Sequence, residues 1–109
     1  MNPFRPTGPL LSFTGGSSAP TSVQAISTDN IVNQQVVLTN TDTTNDCVVG
    51  WGASDAVAKL NAAAGSTVNN CYYLLARSKV VINAPSGSYF SGIAVASTAV
   101  IKVQAGYGA

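Results

Sequence analysis

Four aspartates, Asp29, Asp42, Asp46 and Asp55, are the only side-chain carboxylates in the chain, and the sequence holds no histidine and no glutamate. General acid and base work near neutral pH rests on imidazole or on carboxylates with tuned pKa values. Asp42 and Asp46 flank a stretch of threonine and asparagine, where aspartate ordinarily bonds the local backbone of a turn. A serine or cysteine nucleophile needs a base. Lys79 cannot serve Ser78 if both lie on a strand, because neighbours there point to opposite faces. The inventory points away from an enzyme.

Metal and cofactor chemistry fares no better. Cys47 and Cys71, with 23 residues between them, are too few for a tetrahedral zinc site, which takes about four ligands. Asp42, Asn45 and Asp46 could offer oxygens to calcium, but their spacing matches no specific calcium loop. Gly50 and Gly52 lack the third glycine of a dinucleotide cradle. No metal and no cofactor are expected. The two cysteines read as small buried thiols in a cytosolic product, with a disulfide as the alternative in an oxidising compartment.

The whole chain bounds the problem further. Its 109 residues make one domain with a modest core, to which self-association would add. Only 8% of residues are charged, where about a quarter is usual, so the 35 Ser, Thr, Asn and Gln residues must supply a neutral polar surface. A net charge of +1 gives little self-repulsion. Arg5, Lys59, Arg77, Lys79 and Lys102 are scattered, whereas phosphate binding needs clustered cations, so no nucleic-acid partner is expected. No apolar run reaches the roughly eighteen residues of a membrane span. Met1 to Pro6 lacks a signal-peptide pattern, which favours a protein made and used without export.

The elements that would position any site are strands. Thirteen valines and five isoleucines outnumber six leucines, and branched side chains suit a pleated surface. Short apolar runs separated by turn residues predict about eight strands: Leu10 to Thr14, Ser22 to Ser27, Gln35 to Asn40, Cys47 to Trp51, Cys71 to Ala76, Lys79 to Ala84, Tyr89 to Ala96 and Ala99 to Ala105. Ile101, Val103 and Ala105 alternate with Lys102 and Gln104, so one face of the last strand is buried and the other wet. Tyr72 and Tyr73 should likewise divide between core and solvent. Asp55 to Ala64 is alanine-rich, with Ser54 or Asp55 as a cap and Gly65 after its end, and reads as one short helix. Residues 1–19, with four prolines at positions 3, 6, 9 and 20 in or beside them, read as an extended N-terminal arm and a first edge segment; residues 20–109 form the sandwich. Met1 to Pro9 in particular is expected as an arm rather than a strand.

The stretch Cys47-Val48-Val49-Gly50-Trp51-Gly52-Ala53-Ser54 holds the only tryptophan. Its glycines are expected to turn the chain sharply after the valine strand and to let neighbours approach closely, with Trp51 closing one end of the core. Phe4, Arg5, Trp51 and Tyr107 are the aromatic and arginine anchors that an interface would favour.

With "VVGWGAS" running into an alanine-rich segment, and with the ending "YFSGIAVASTAVIKVQAGYGA", residues 20–109 resemble the small capsid decoration proteins of tailed bacteriophages. The likeness is to the compact jelly-roll cement or staple proteins of short-tailed phages. Their pattern is a valine-rich strand entering Gly-Trp-Gly, a Ser-Tyr-Phe-Ser-Gly-Ile strand and a closing strand with a glycine-rich tail. Gly106-Tyr107-Gly108-Ala109 departs from the proline, glycine and glutamate ending of that pattern. The resemblance implies an all-β, single-domain, jelly-roll-like sandwich, dimeric or trimeric, that binds the major capsid protein on the virion surface after synthesis in the host cytoplasm. The alternative is a receptor- or carbohydrate-binding β-sandwich module of a phage head or tail fibre, since jelly rolls also serve as lectin domains.

Overall fold

A computed structural model describes residues 5, 6, 8, 10–16, 22–24, 33–64, 70–85, 87–94 and 98–107. Their elements are β1 (Arg5–Pro6), β2 (Leu11–Gly15), β3 (Ser22–Gln24), β4 (Asn33–Asn40), β5 (Cys47–Gly52), α1 (Asp55–Ala64), β6 (Cys71–Leu74), β7 (Lys79–Pro85), β8 (Tyr89–Ala94) and β9 (Ala99–Tyr107).

The antiparallel pairs β5 with β6, β4 with β7, β3 with β8 and β2 with β9 are nested one inside the next. The chain is therefore one long hairpin whose tip carries α1. Rolling that hairpin brings β9 against β4 and β5 against β8. Two sheets result, β2-β9-β4-β7 and β3-β8-β5-β6, with β1 prolonging the β2 edge. This is a jelly-roll sandwich. On one side the sheets are linked by the bridge between Gly16 and Ile93 and by the Ala94 N–H donating to the Gly16 carbonyl at 3.0 Å. On the other side the chain passes from β6 to β7 through a tight turn, in which Ser78 N–H donates to the Leu75 carbonyl and Arg77 has φ 59°.

Alternation builds the core. Phe13, Val36, Leu38, Ile101, Val103 and Ala105 point inward from the first sheet, against Cys47, Val49, Trp51, Leu74, Phe90 and Ala94 from the second. Each large buried side chain contributes about 1.5–3 kcal/mol relative to exposure, so this double layer is what holds the roll shut. Asn40 is the largest buried polar side chain among the described residues. Its amide donates to the Asn45 carbonyl at 2.9 Å and the Leu74 carbonyl at 3.3 Å, and its oxygen accepts from Asp42 N–H at 3.0 Å, tying the two sheets together.

Several expectations need adjusting. Tyr72 and Tyr73 do not divide between core and solvent: they are 44% and 51% exposed, because β6 ends its sheet and offers its inward-facing residue little cover. Arg5 and Pro6, expected as part of an arm rather than a strand, form a short strand that pairs with Tyr107 and Gly106. An edge strand of two residues tolerates proline, which has no N–H to give to a ladder. The predicted strand ends at Ala25 to Ser27 and at Val95 and Ala96 lie outside the described residues.

Gly50 and Gly52 do not turn the chain; both continue β5. Their faces point away from the core and toward α1, which crosses β5 and β8 on the outside of the sheet. A Cβ on Gly50 would stand 2.2 Å from the Ala62 nitrogen, and one on Gly52 would stand 2.3 Å from Val57 Cγ1. Ten residues are marginal for a helix standing alone. This one is held by its fully docked Ala58 and Ala62, by Ser54 Oγ accepting from Val57 N–H, and by Asp55, which takes the Ser22 hydroxyl and pairs with Lys59 at 3.2 Å.

Candidate functional site

Trp51 is the natural starting point. Strand alternation puts Cys47, Val49 and Trp51 on the inner face, while Gly50 and Gly52 meet the helix. The indole is 9% exposed and packs on Phe90 with ring centroids 6.0 Å apart. Its backbone is pinned on both sides, by Asn61 Nδ2 donating to the Trp51 carbonyl at 2.7 Å and by Trp51 N–H donating to the Asn70 carbonyl at 3.0 Å. The remaining edge borders a cleft of about 300 Å³ lined by Gly52, Ala53, Asn70, Pro85, Gly87 and Ser88. None of these lining groups is charged. Gly87 has φ 86°, a conformation that glycine adopts freely, and Ser88 closes the turn by bonding the Pro85 carbonyl through both N–H and hydroxyl. The cleft is at the small end of ligand sites and could receive a neutral polar ring.

The other anchors fall elsewhere. Arg5 and Tyr107 are direct partners in the β1–β9 ladder, so two residues 102 positions apart stand side by side. Gly106 is level with Gln35, and Gln35 with Asn83, which places the pair toward the end of the sheet where β7 runs out to Pro85. Phe4 lies outside the described residues.

The polar candidates are fasteners. Asp42 Oδ2 accepts Thr44 N–H at 3.0 Å and Asn45 N–H at 2.7 Å, and these amides hold its carboxyl below the usual range. Asp46 accepts Ala76 N–H at 2.9 Å and the Tyr73 hydroxyl at 3.0 Å, and that bond pushes the phenol up. Asp55 is held low by the Ser22 hydroxyl and Lys59. Among the described residues no three Cys or Asp side chains gather as a metal set. Cys47 and Cys71 are not joined in a disulfide; burial pushes Cys47 up to about 11. Asp29 lies outside the described residues.

Two surfaces carry features that inspection of single strands misses. The first is the outer face of the sheet β2-β9-β4-β7, which no described helix or strand covers. Register aligns Lys79, Thr39, Lys102 and Ser12 in one row, Val81, Val37 and Gln104 in the next, and Asn83 with Gln35 beyond. Val81 and Val100 are about two-fifths exposed there. The second is the β6 edge, where Tyr72, Tyr73 and Leu75 are all exposed. The alternation that marks Lys79 and Lys102 as outward is legible in the chain; that they flank one threonine depends on pairings between strands far apart in sequence.

The fold defines the class of this protein as an all-β jelly-roll sandwich. No family model matches the chain, and no curated protein matches it.

Proposed function

We propose that this chain is a structural virion protein that binds the outer surface of a phage capsid and stabilises contacts between major capsid proteins. The observation that carries the reading is the face of β2-β9-β4-β7 that no described helix or strand covers, a platform of Thr, Gln, Asn, Ser and Val side chains with two lysines and no carboxylate among its described residues. Neutral polar groups can exchange water for a partner's backbone and side chains without the desolvation cost of buried ions. An interface of about 1,200–2,000 Å² would be ordinary for such a contact, and repetition over a lattice would add avidity. The resemblance over residues 20–109 and the lack of histidine and glutamate favour this structural, non-catalytic role. Work on the shell would follow synthesis in the host cytoplasm.

The test is cosedimentation with purified shells. Wild-type protein should pellet with them, and Val81→Asp together with Lys79→Glu should pellet at least about tenfold less, a loss of roughly 1.4 kcal/mol. Equal pelleting of the variant, with its fold verified by circular dichroism, would remove the platform from the account.

A second reading is favoured by the uncharged cleft beside Trp51. A receptor- or carbohydrate-binding module would present an aromatic edge and neutral hydrogen-bonding groups to a sugar. Jelly rolls serve capsid and lectin roles alike, so the fold does not choose between them. Glycan binding by purified protein that ignores empty shells would favour this reading over the first.

A further inference from the structure

Four sheet margins need protection from stray pairing, and three have it. The β7 margin carries Lys79 and ends in Pro85; β3 is three residues long, with Ser22 and Gln24 bonded to Asp55 and the Gly87 carbonyl; the β1–β2 margin contains Pro6 and is closed against the other sheet by the Gly16 bridge. Charges, proline, shortness and cover are the usual devices against edge-to-edge association. The fourth margin, Cys71-Tyr72-Tyr73-Leu74, has no Lys, Arg or Pro. The Trp51 to Asn70 hydrogen bond fixes the phase of its ladder: Asn70, Tyr72 and Leu74 turn their amides toward β5, so Tyr73 turns its own outward, where no described strand lies.

We infer that this edge pairs with the same edge of a second copy, antiparallel about a two-fold axis, joining two four-stranded sheets into one of eight strands. An antiparallel edge is complementary to itself, and a two-fold contact uses one patch on both partners. The strip carries no fixed positive charge, and at a net +1 per chain two copies meet with little repulsion. The carboxylate beside this strip, Asp46, is already engaged by the Tyr73 hydroxyl and the Ala76 N–H, and tyrosines opposite tyrosines are favourable cross-strand pairs. Tyr72, Tyr73 and Leu75 are each about half exposed, so complete cover of these residues on both copies would remove at most roughly 600 Å². That is short of a standard interface of about 1,600 Å², so the pairing is weak and reversible. It does not rest on the capsid reading.

Sedimentation equilibrium of the full chain over about 5–500 µM tests it, a range that brackets micromolar association. Wild-type protein should move from monomer to dimer across the range. Tyr72→Lys and Leu75→Lys should each raise the dissociation constant at least about tenfold, while Val81→Lys on the open sheet face should behave as wild type. Circular dichroism identifies any variant that fails to fold, in which case the other edge variant decides. A wild-type monomer throughout, a trimer, or a dimer indifferent to the folded edge variants would overturn the inference. Failure to bind shells would leave it standing.

Discussion

Gly50 lies directly beneath Ala62, so close that a methyl group on the glycine would stand 2.2 Å from the backbone nitrogen of the alanine and 2.8 Å from its Cα. The obstacle is helix backbone rather than a flexible side chain, so Gly50→Ala should lift α1 or distort β5. Overpacking of this kind typically costs about 1–3 kcal/mol. Urea unfolding followed by Trp51 fluorescence would measure the loss. Ala53→Ser, at the exposed position immediately after Gly52, should stay within about 0.5 kcal/mol of wild type.

Asn40 is the clearest case of a buried polar group that the fold depends on. Replacing it with alanine would leave the Leu74 and Asn45 carbonyls and the Asp42 amide without their partner, at a cost of about 3 kcal/mol. Asn40→Asp should be worse near neutral pH, because a carboxylate would face two carbonyl oxygens, and should recover partly on acidification as it takes up a proton. Thermal melts of the three proteins at about pH 7 and about pH 4, either side of carboxylate protonation in such a site, would show both effects.

The thiols should behave differently from each other. Cys47 is buried and its pKa is pushed up from 9.0 to about 11, whereas Cys71 is only half-buried. Under native conditions at about pH 8, iodoacetamide should modify Cys71 ahead of Cys47, and unfolding should equalise them. The unfolded chain loses the Cys47 proton near pH 9.0 while the folded chain keeps it until about 11. Stability from this group is therefore complete below the unfolded value and is lost as pH rises toward the folded one, by at most about 3 kcal/mol. Cys47→Ala should show a correspondingly smaller decline in urea midpoint over that interval.

The legible and illegible parts of this chain separate along physical lines. Period-two alternation in Ile101, Val103 and Ala105 and the capped alanine run from Asp55 to Ala64 are local signals, and both elements stand where the chain indicates. The role of the Gly-Trp-Gly glycines is half legible: close approach follows from the residue type, but no sharp turn is needed, since the approaching backbone is a helix that only the folded roll brings to β5. The exposure of both Tyr72 and Tyr73 depends on β6 being last in its sheet, and strand order is not written in any local pattern. Likewise Arg5 and Tyr107 can each be singled out as an anchor, while their adjacency follows only from the long-range β1–β9 ladder.

The central claim, work on the outside of a capsid, is tested most directly by the protein inventory and density map of purified phage particles from the organism that encodes the chain. The chain should be present near the abundance of the major capsid protein, with jelly-roll density seated on the shell by its β2-β9-β4-β7 face. Particles that lack it, or that carry it only in a few copies at the tail, would contradict the claim.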